Sequence, residues 1–272
     1  MEIQFTKLNG NGNDFILIDE YDRLVIPDHM KGEFAASFCD RHFGIGGDGV
    51  LFLSRSLQHD LRMRLFQPDQ SEAEMCGNGI RCFAKYALDK GYVKDTCTVE
   101  TLAGPIPVVM KYEEDQFFAT IDMPAPKFDR KDIPATGDGE YLENIVGYDV
   151  YAVNIGVPHA VVFVPSVDNF EVAGLGKSIR HHQTFPRGAN VNFVERVDGE
   201  TIRIRTFERG VEGETLSCGT GATASAVIAH KLGFVGAEVS VETAGGPLSI
   251  HLNAGTKLEG PADTVFRGII EF

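Results

Sequence analysis

The stretch "EMCGNGIRCF" (Glu74–Phe83) sets Cys76 directly before a Gly-x-Gly turn and an apolar run, and "LSCGTGATAS" (Leu216–Ser225) does the same with Cys218. The offset between them is 218 − 76 = 142. Held without a gap, that offset sets Gly79 on Gly221 and "GYV" (Gly91–Val93) on "GFV" (Gly233–Val235). It also sets "VET" (Val99–Thr101) on "VET" (Val241–Thr243), and Gly104-Pro105 on Gly246-Pro247. Upstream, "LRMRLFQ" (Leu61–Gln67) pairs with "IRIRTFE" (Ile202–Glu208) at an offset shorter by one residue. The matched positions are the unusual ones rather than apolar filler, so the chain reads as an internal duplication.

Each copy predicts the same local structure. "LRMRLF" and "TIRIRTF" alternate polar and apolar residues, the period of a half-buried strand. A polar loop follows, then Cys-Gly-x-Gly, then a helix. In the first helix Ile80, Phe83, Ala84, Ala87 and Leu88 share one face, and Gly91 stands where a C-terminal cap belongs. The second, "ATASAVIAHKL", has almost no polar face before His230, which predicts a buried central helix ended by Gly233. "TCTVET" and "EVSVET" read as strands running into Gly-Pro turns. "FILID", "GVLFLS", "FFATIDM", "YAVNI", "AVVFV" and "NVNFV" add further strands, and the tail "TVFRGIIEF" has no partner in the repeat. The expected fold is α/β (α+β): two pseudo-symmetric halves, each a curved sheet around a central helix, with the active site in the cleft between them. The expected boundaries are 1–120 plus 262–272 for the half with Cys76 and 121–261 for the half with Cys218. The polar run "PAPKFDRKDIPATGDGEYLENIVG" suits a connection between the halves.

A chain of 272 residues can bury a substantial core. Its formal charge of −14 argues against nucleic acid, which wants a basic face. The start "MEIQFTKLNG" lacks a secretory apolar segment and no stretch approaches a membrane span, so a cytoplasmic location without membrane partners is the expectation. Five cysteines without a CxxC pair argue for reduced thiols rather than a disulfide framework or zinc ribbon.

A cysteine at a helix N-terminus meets unpaired N–H groups and the positive end of the helix dipole, which favour its thiolate. The adjoining glycines let the backbone approach an anion. Two such corners suit the inversion of a carbon centre, which needs a base on one face and an acid on the other. No metal or organic cofactor is called for. Set against this, most free cysteines are small buried hydrophobes, and that reading is preferred for Cys39, Cys82 and Cys97. A redox pair would explain two thiols, and an anion-binding module would explain the glycines. Neither explains a cysteine before Gly-x-Gly in both copies.

"GNGNDFILID", "RHFGIGGDG", "SEAEMCGNGIRCFAKY", "GVPHAVVFV", "FERGVEGETLSCGTGA" and "ETAGGPL" together resemble the diaminopimelate epimerase family over nearly the whole chain. The resemblance implies cofactor-independent interconversion of LL- and meso-diaminopimelate, an isomerase step in lysine biosynthesis, and closure on a small-molecule substrate. By position it assigns Cys76 and Cys218 as base and acid, with His159 and Glu208 poised near them. It gives Asn13, Gln67, Gly77, Asn78, Asn190, Arg209, Gly219 and Thr220 to the substrate, with Arg209 as the fork for a distal carboxylate. Two positions depart from the family pattern: Gln67 stands where an Asn is usual, and Val157 replaces a substrate-contacting Asn. Both lie on the side that recognises the remainder of the substrate, so a racemase of another amino acid is the alternative. The reading allows a homodimer without requiring one.

Overall fold

The computed structural model describes residues 2–272, which form two compact units, 2–121 with 260–272 and 122–259. In the first, β1 (Glu2–Gly10) and β2 (Asn13–Asp19) make a hairpin, and a crossover through α1 (Lys31–Phe38) leads to β3 (Gly49–Ser54), parallel to β2. Next come β4 (Leu61–Phe66), the short β5 (Glu72–Ala73), α2 (Gly77–Asp89), β6 (Thr96–Thr101), β7 (Gly104–Glu113) and β8 (Gln116–Asp122). β3 and β4 are antiparallel, β4 and β6 parallel.

The second unit repeats the plan. β9 (Leu142–Ile145) and β10 (Tyr148–Asn154) precede β11 (Pro158–Phe163), and α3 (Val172–Arg180) crosses to β12 (Asn190–Arg196), parallel to β11. Then follow β13 (Thr201–Glu208), β14 (Gly213–Thr215), α4 (Gly219–Lys231), β15 (Glu238–Thr243), β16 (Gly246–His251) and β17 (Lys257–Pro261). Adding 142 to the bounds of α2 and β6 returns those of α4 and β15 (77 + 142 = 219, 96 + 142 = 238). The tail strand β18 (Asp263–Glu271) pairs antiparallel with β1, from Glu2 opposite Glu271 onward.

Both helices that follow the cysteines are enclosed by strands. α2 packs on β1, β2, β3, β4, β7 and β18, and α4 on β10, β11, β12, β13, β15 and β16. Every residue of α4 from Gly221 to Ala229 is buried, as its nearly unbroken apolar sequence predicts. Gly91 and Gly233 end the helices at φ +72° and +71°, a conformation that costs glycine nothing. The other sheet faces hold separate cores. Phe34 and Ala35 of α1 lie with Ile16, Val50 and Phe52, while Val172 and Ile179 of α3 lie with Val162, Val191 and Phe193.

The polar run after β8 is not a loose connection. Ile133, Tyr141 and Ile145 are buried in the core of the second unit. Tyr141 stacks on Phe185 at 4.7 Å, and the Arg130 guanidinium lies 4.4 Å over its ring while donating to Glu143. Three apolar anchors among many polar residues are too sparse to show as a period, so only the packed structure reveals them. No helix among the described residues is long and apolar enough to cross a membrane.

Candidate active site

Cys76 is the N-cap of α2, with extended backbone (φ −141°, ψ 121°), and its Sγ accepts from Gly79 N–H at 3.5 Å. The thiol also reaches Oδ1 of Asn13 at 3.6 Å, and the same oxygen takes the Asn78 amide at 3.4 Å. The orientation of the Asn13 amide is imposed from behind: its Nδ2 donates to the Asp48 carboxylate, which also accepts from Asp14 N–H at 3.1 Å. Arg41 bridges Asp48 (2.9 Å) and Asp14 (2.6 Å), and Lys7 pairs with Asp14 (2.6 Å). Burial opposes ionisation of Asp14, but bonds and charge from Arg41 and Lys7 prevail and bring its carboxyl down to about 2. Asp48 was not among the sequence candidates, although it lies in the quoted "RHFGIGGDG". Gly77 and Asn78 open the helix beside the thiol. Gln67 sits in the exposed turn after β4, where its side-chain oxygen accepts from Ser71 at 3.0 Å.

Cys218 caps α4 with the same extended backbone (φ −130°, ψ 109°), and its Sγ lies 3.4 Å from the Thr220 hydroxyl. Gly219 and Thr220 open this helix as Gly77 and Asn78 open the other. His159 and Asn190 are opposite one another on the parallel strands β11 and β12. Asn190 is committed to backbone: its Oδ1 accepts from Arg209 N–H at 2.8 Å and its Nδ2 donates to Pro158 carbonyl at 3.3 Å. It thus braces the corner that carries Glu208 and Arg209 at the end of β13.

His159 is fully buried, and burial, followed by the charge of Arg209, pushes its imidazole down to about 3. Its Nε2 has no hydrogen-bond partner among the described residues; neither has the buried hydroxyl of Ser217, next to Cys218. Buried polar atoms are rarely left so. Burial also raises Glu208, with the Thr215 hydroxyl working against it. Among the described residues Arg209 has no carboxylate within ion-pairing distance; its Nη1 donates to Gly188 carbonyl at 3.3 Å. Burial and then Arg180 lower its guanidinium from the ordinary value. A guanidinium without a carboxylate partner among the described residues is suited to an anion.

The remaining cysteines lie elsewhere in the packing. Cys39, Cys82 and Cys97 are buried, and burial pushes each thiol up to about 12. They remain protonated and inert near neutrality.

A family model for diaminopimelate epimerase matches residues 5–128 and 151–265. The chain is 54% identical to the diaminopimelate epimerase of Methanothrix thermoacetophila, over 99% of its own length and 96% of that protein. To that of Methanocella arvoryzae it is 51% identical, over 99% and 97%. Among solved structures, a PhzF-family phenazine biosynthesis protein of Bacillus anthracis superimposes with a TM-score of 0.71 at 18% identity, covering 100% of both chains. That likeness concerns the fold alone.

Proposed function

The chain belongs to the diaminopimelate epimerase family, and from that premise we propose that it epimerises LL-diaminopimelate to meso-diaminopimelate, for lysine biosynthesis, with Cys76 and Cys218 as the two bases. One observation carries the reading: the same extended N-cap cysteine, with the same Gly-x-Gly helix start, is built twice at a spacing of 142 residues. One thiolate takes the α-proton and the other thiol returns one to the opposite face, so each direction of reaction needs both. The substrate α-carboxylate is held by the helix-opening residues Gly77, Asn78, Gly219 and Thr220. Charge that develops on it as the proton leaves is stabilised by their N–H groups and the helix dipoles. Asn13 orients the Cys76 side. Arg209 takes the distal carboxylate, Asn190 fixes the backbone that carries it, and Gln67 lies at the outer edge. His159, as a neutral group with a free N–H, and Glu208, whose carboxyl burial raises, tune the Cys218 side.

The decisive experiment incubates the enzyme with LL-diaminopimelate in deuterated water and follows α-deuterium and stereochemistry. Label at the inverted centre is expected, and loss of epimerisation in both directions in Cys76→Ala and Cys218→Ala. Near-wild-type turnover in either variant would point to a one-base mechanism. Comparable rates with lysine, glutamate or proline would favour the alternative racemase. We further infer a homodimer, supported by the exposed apolar row Val265, Phe266 and Ile269 on β18. Light scattering that gives a monomer mass at micromolar concentration would remove that inference.

A further inference from the structure

Asp48 stands one residue before β3, where the parallel register of β3 on β2 (Phe15 opposite Gly49) brings it beside Asp14. Its N–H donates to Asp14 carbonyl at 2.8 Å, and both of its carboxylate oxygens are engaged. Oδ1 accepts from Arg41 at 2.9 Å; Oδ2 accepts from Asp14 N–H at 3.1 Å and from Asn13 Nδ2. A carboxylate can only accept, so the end of the Asn13 amide that meets it is the NH2. The other end is fixed independently. Arg81, fully buried on α2 and able only to donate, gives a hydrogen bond to Asn78 Oδ1 at 2.9 Å. Asn78 therefore turns its Nδ2 to Asn13 Oδ1, at 3.4 Å. Both neighbours agree on the orientation of the Asn13 amide, and its carbonyl oxygen faces Cys76 Sγ at 3.6 Å.

That oxygen discriminates between the two forms of the sulfur. A thiol donates to it, whereas a thiolate would meet a lone pair that cannot turn away. Gly79 N–H, 3.5 Å from Sγ, serves either form, because sulfur accepts in both. The second corner differs. Thr220 stands at the place of Asn78 (78 + 142 = 220), and its hydroxyl lies 3.4 Å from Cys218 Sγ. A hydroxyl rotates, so it can donate to a thiolate there. Around α2, Lys7 pairs with Asp14, Arg62 with Glu100, Arg64 with Glu72 and Lys111 with Glu113. Asp19 accepts from the Tyr86 and Tyr92 hydroxyls, and Asp89 from Lys85 and Tyr112. On β18, Arg267 acts on Tyr86 and Asp263 on Cys82, while Glu271 lies opposite Glu2 of β1. The helix dipole and the charge of Arg81 act toward the thiolate at Cys76. The locked carbonyl of Asn13 acts against them, and the hydrogen bond it accepts exists only for the thiol.

We propose that Asp48 is a positioning residue that, by locking Asn13, holds Cys76 as the thiol at rest and leaves Cys218 as the thiolate of the pair. The inference rests on the two-thiol reading above. In a turnover from this state the Cys218 thiolate takes the α-proton and becomes a thiol, and the Cys76 thiol gives its proton to the opposite face and becomes a thiolate. Return of one proton from Cys218 to Cys76 through solvent restores the start, and the Asn13 carbonyl makes that return favourable.

The test is the pH dependence of iodoacetamide alkylation of the full chain, resolved for each cysteine by peptide mass mapping. Midpoints are compared rather than rates, because the half-buried Cys76 is reached more easily than the buried Cys218. In the wild type Cys218 is expected to titrate at lower pH than Cys76. Asp48→Asn frees the Asn13 amide to turn, so the Cys76 midpoint should fall and its alkylation at pH 7 should rise by roughly three- to tenfold. Loss of a nearby negative charge would act in the same direction, so a double variant separates the two causes. In an Asn13→Leu background the carbonyl is already gone, and adding Asp48→Asn should move the Cys76 midpoint no further. Asn13→Ala serves if the leucine variant does not fold, and the wild-type order decides if no variant folds. Three results overturn the proposal: Cys76 titrating first in the wild type, an unmoved Cys76 midpoint in Asp48→Asn, or a further fall in the double variant. The readout needs no turnover. The expected profiles without deuterium exchange would remove the epimerase reading and leave Asp48's role, and exchange with Cys76 titrating first would do the opposite.

Discussion

Asn192 donates from Nδ2 to Nδ1 of His159 across 3.1 Å, with the same nitrogen on Ala160 carbonyl (3.1 Å) and its Oδ1 taking the Thr206 hydroxyl (3.0 Å). With the amide oriented by Ala160 and Thr206, Nδ1 of His159 can only accept. The imidazole is therefore neutral, with its proton on Nε2, which meets no acceptor among the described residues.

A pH dependence of stability follows. The folded-state value of about 3 lies below the ordinary 6.5. Between them the unfolded chain binds a proton that the folded chain does not, so stability is complete above pH 6.5 and falls as pH drops toward 3. The slope approaches about 1.4 kcal/mol per pH unit. Glu208, raised by burial, acts in the opposite sense: its contribution is present at low pH and is lost as pH rises through its folded value. Urea unfolding from pH 7 to 5 should show a shallower decline in His159→Gln than in the wild type. Equal slopes would contradict a buried neutral His159.

Two glycines in the first turns of α2 and α4 should respond differently to alanine. At Gly221 a Cβ would lie 2.4 Å from Asn192 Oδ1 and 3.3 Å from Thr206 Oγ1, within the chain that orients His159. Gly221→Ala is expected to cost about 1–3 kcal/mol. At Gly77 the nearest atom would be Ile121 Cδ1 at 3.7 Å, and Gly77→Ala should stay within about 0.5 kcal/mol of wild type. Thermal unfolding of both variants checks the contrast.

Alkylation should be confined to two of the five cysteines. With Cys39, Cys82 and Cys97 pushed up to about 12, mass mapping of native protein at pH 8 should find label on Cys76 and, more slowly, on the buried Cys218. Label on Cys97 under native conditions would mean that its strand opens far more often than its packing indicates.

Arg209→Ala should reduce diaminopimelate turnover by as much as roughly 10⁴-fold, because a site built to pair a charged group discriminates strongly once that pairing is lost. Both active-site thiols should remain reactive. Gln67→Ala should cost no more than about 1 kcal/mol, since a neutral amide in an exposed turn is lost. Steady-state kinetics on LL-diaminopimelate with the two variants separates them.

Much of the site is local and therefore written in the chain. The cysteine, the glycines after it and the apolar helix are neighbours in sequence, so the repeat at 142 residues delivers both corners and the helices behind them without any long-range contact. α1 and α3 were not legible. α3 holds Gly174 and Gly176, which argue against a helix, yet a Cβ at Gly176 would lie 2.6 Å from Phe207, so close packing of the helix on β13 requires that glycine. Asn192 and Asp48 were likewise invisible as functional residues. Each acts through a partner distant in sequence: His159 for Asn192 and Asn13 for Asp48. Sequence determined which residues carry the chemistry, because helix starts and apolar periods are short-range. Only the tertiary structure decided how their protons and amides are oriented, because that depends on burial and on hydrogen bonds closed across strands.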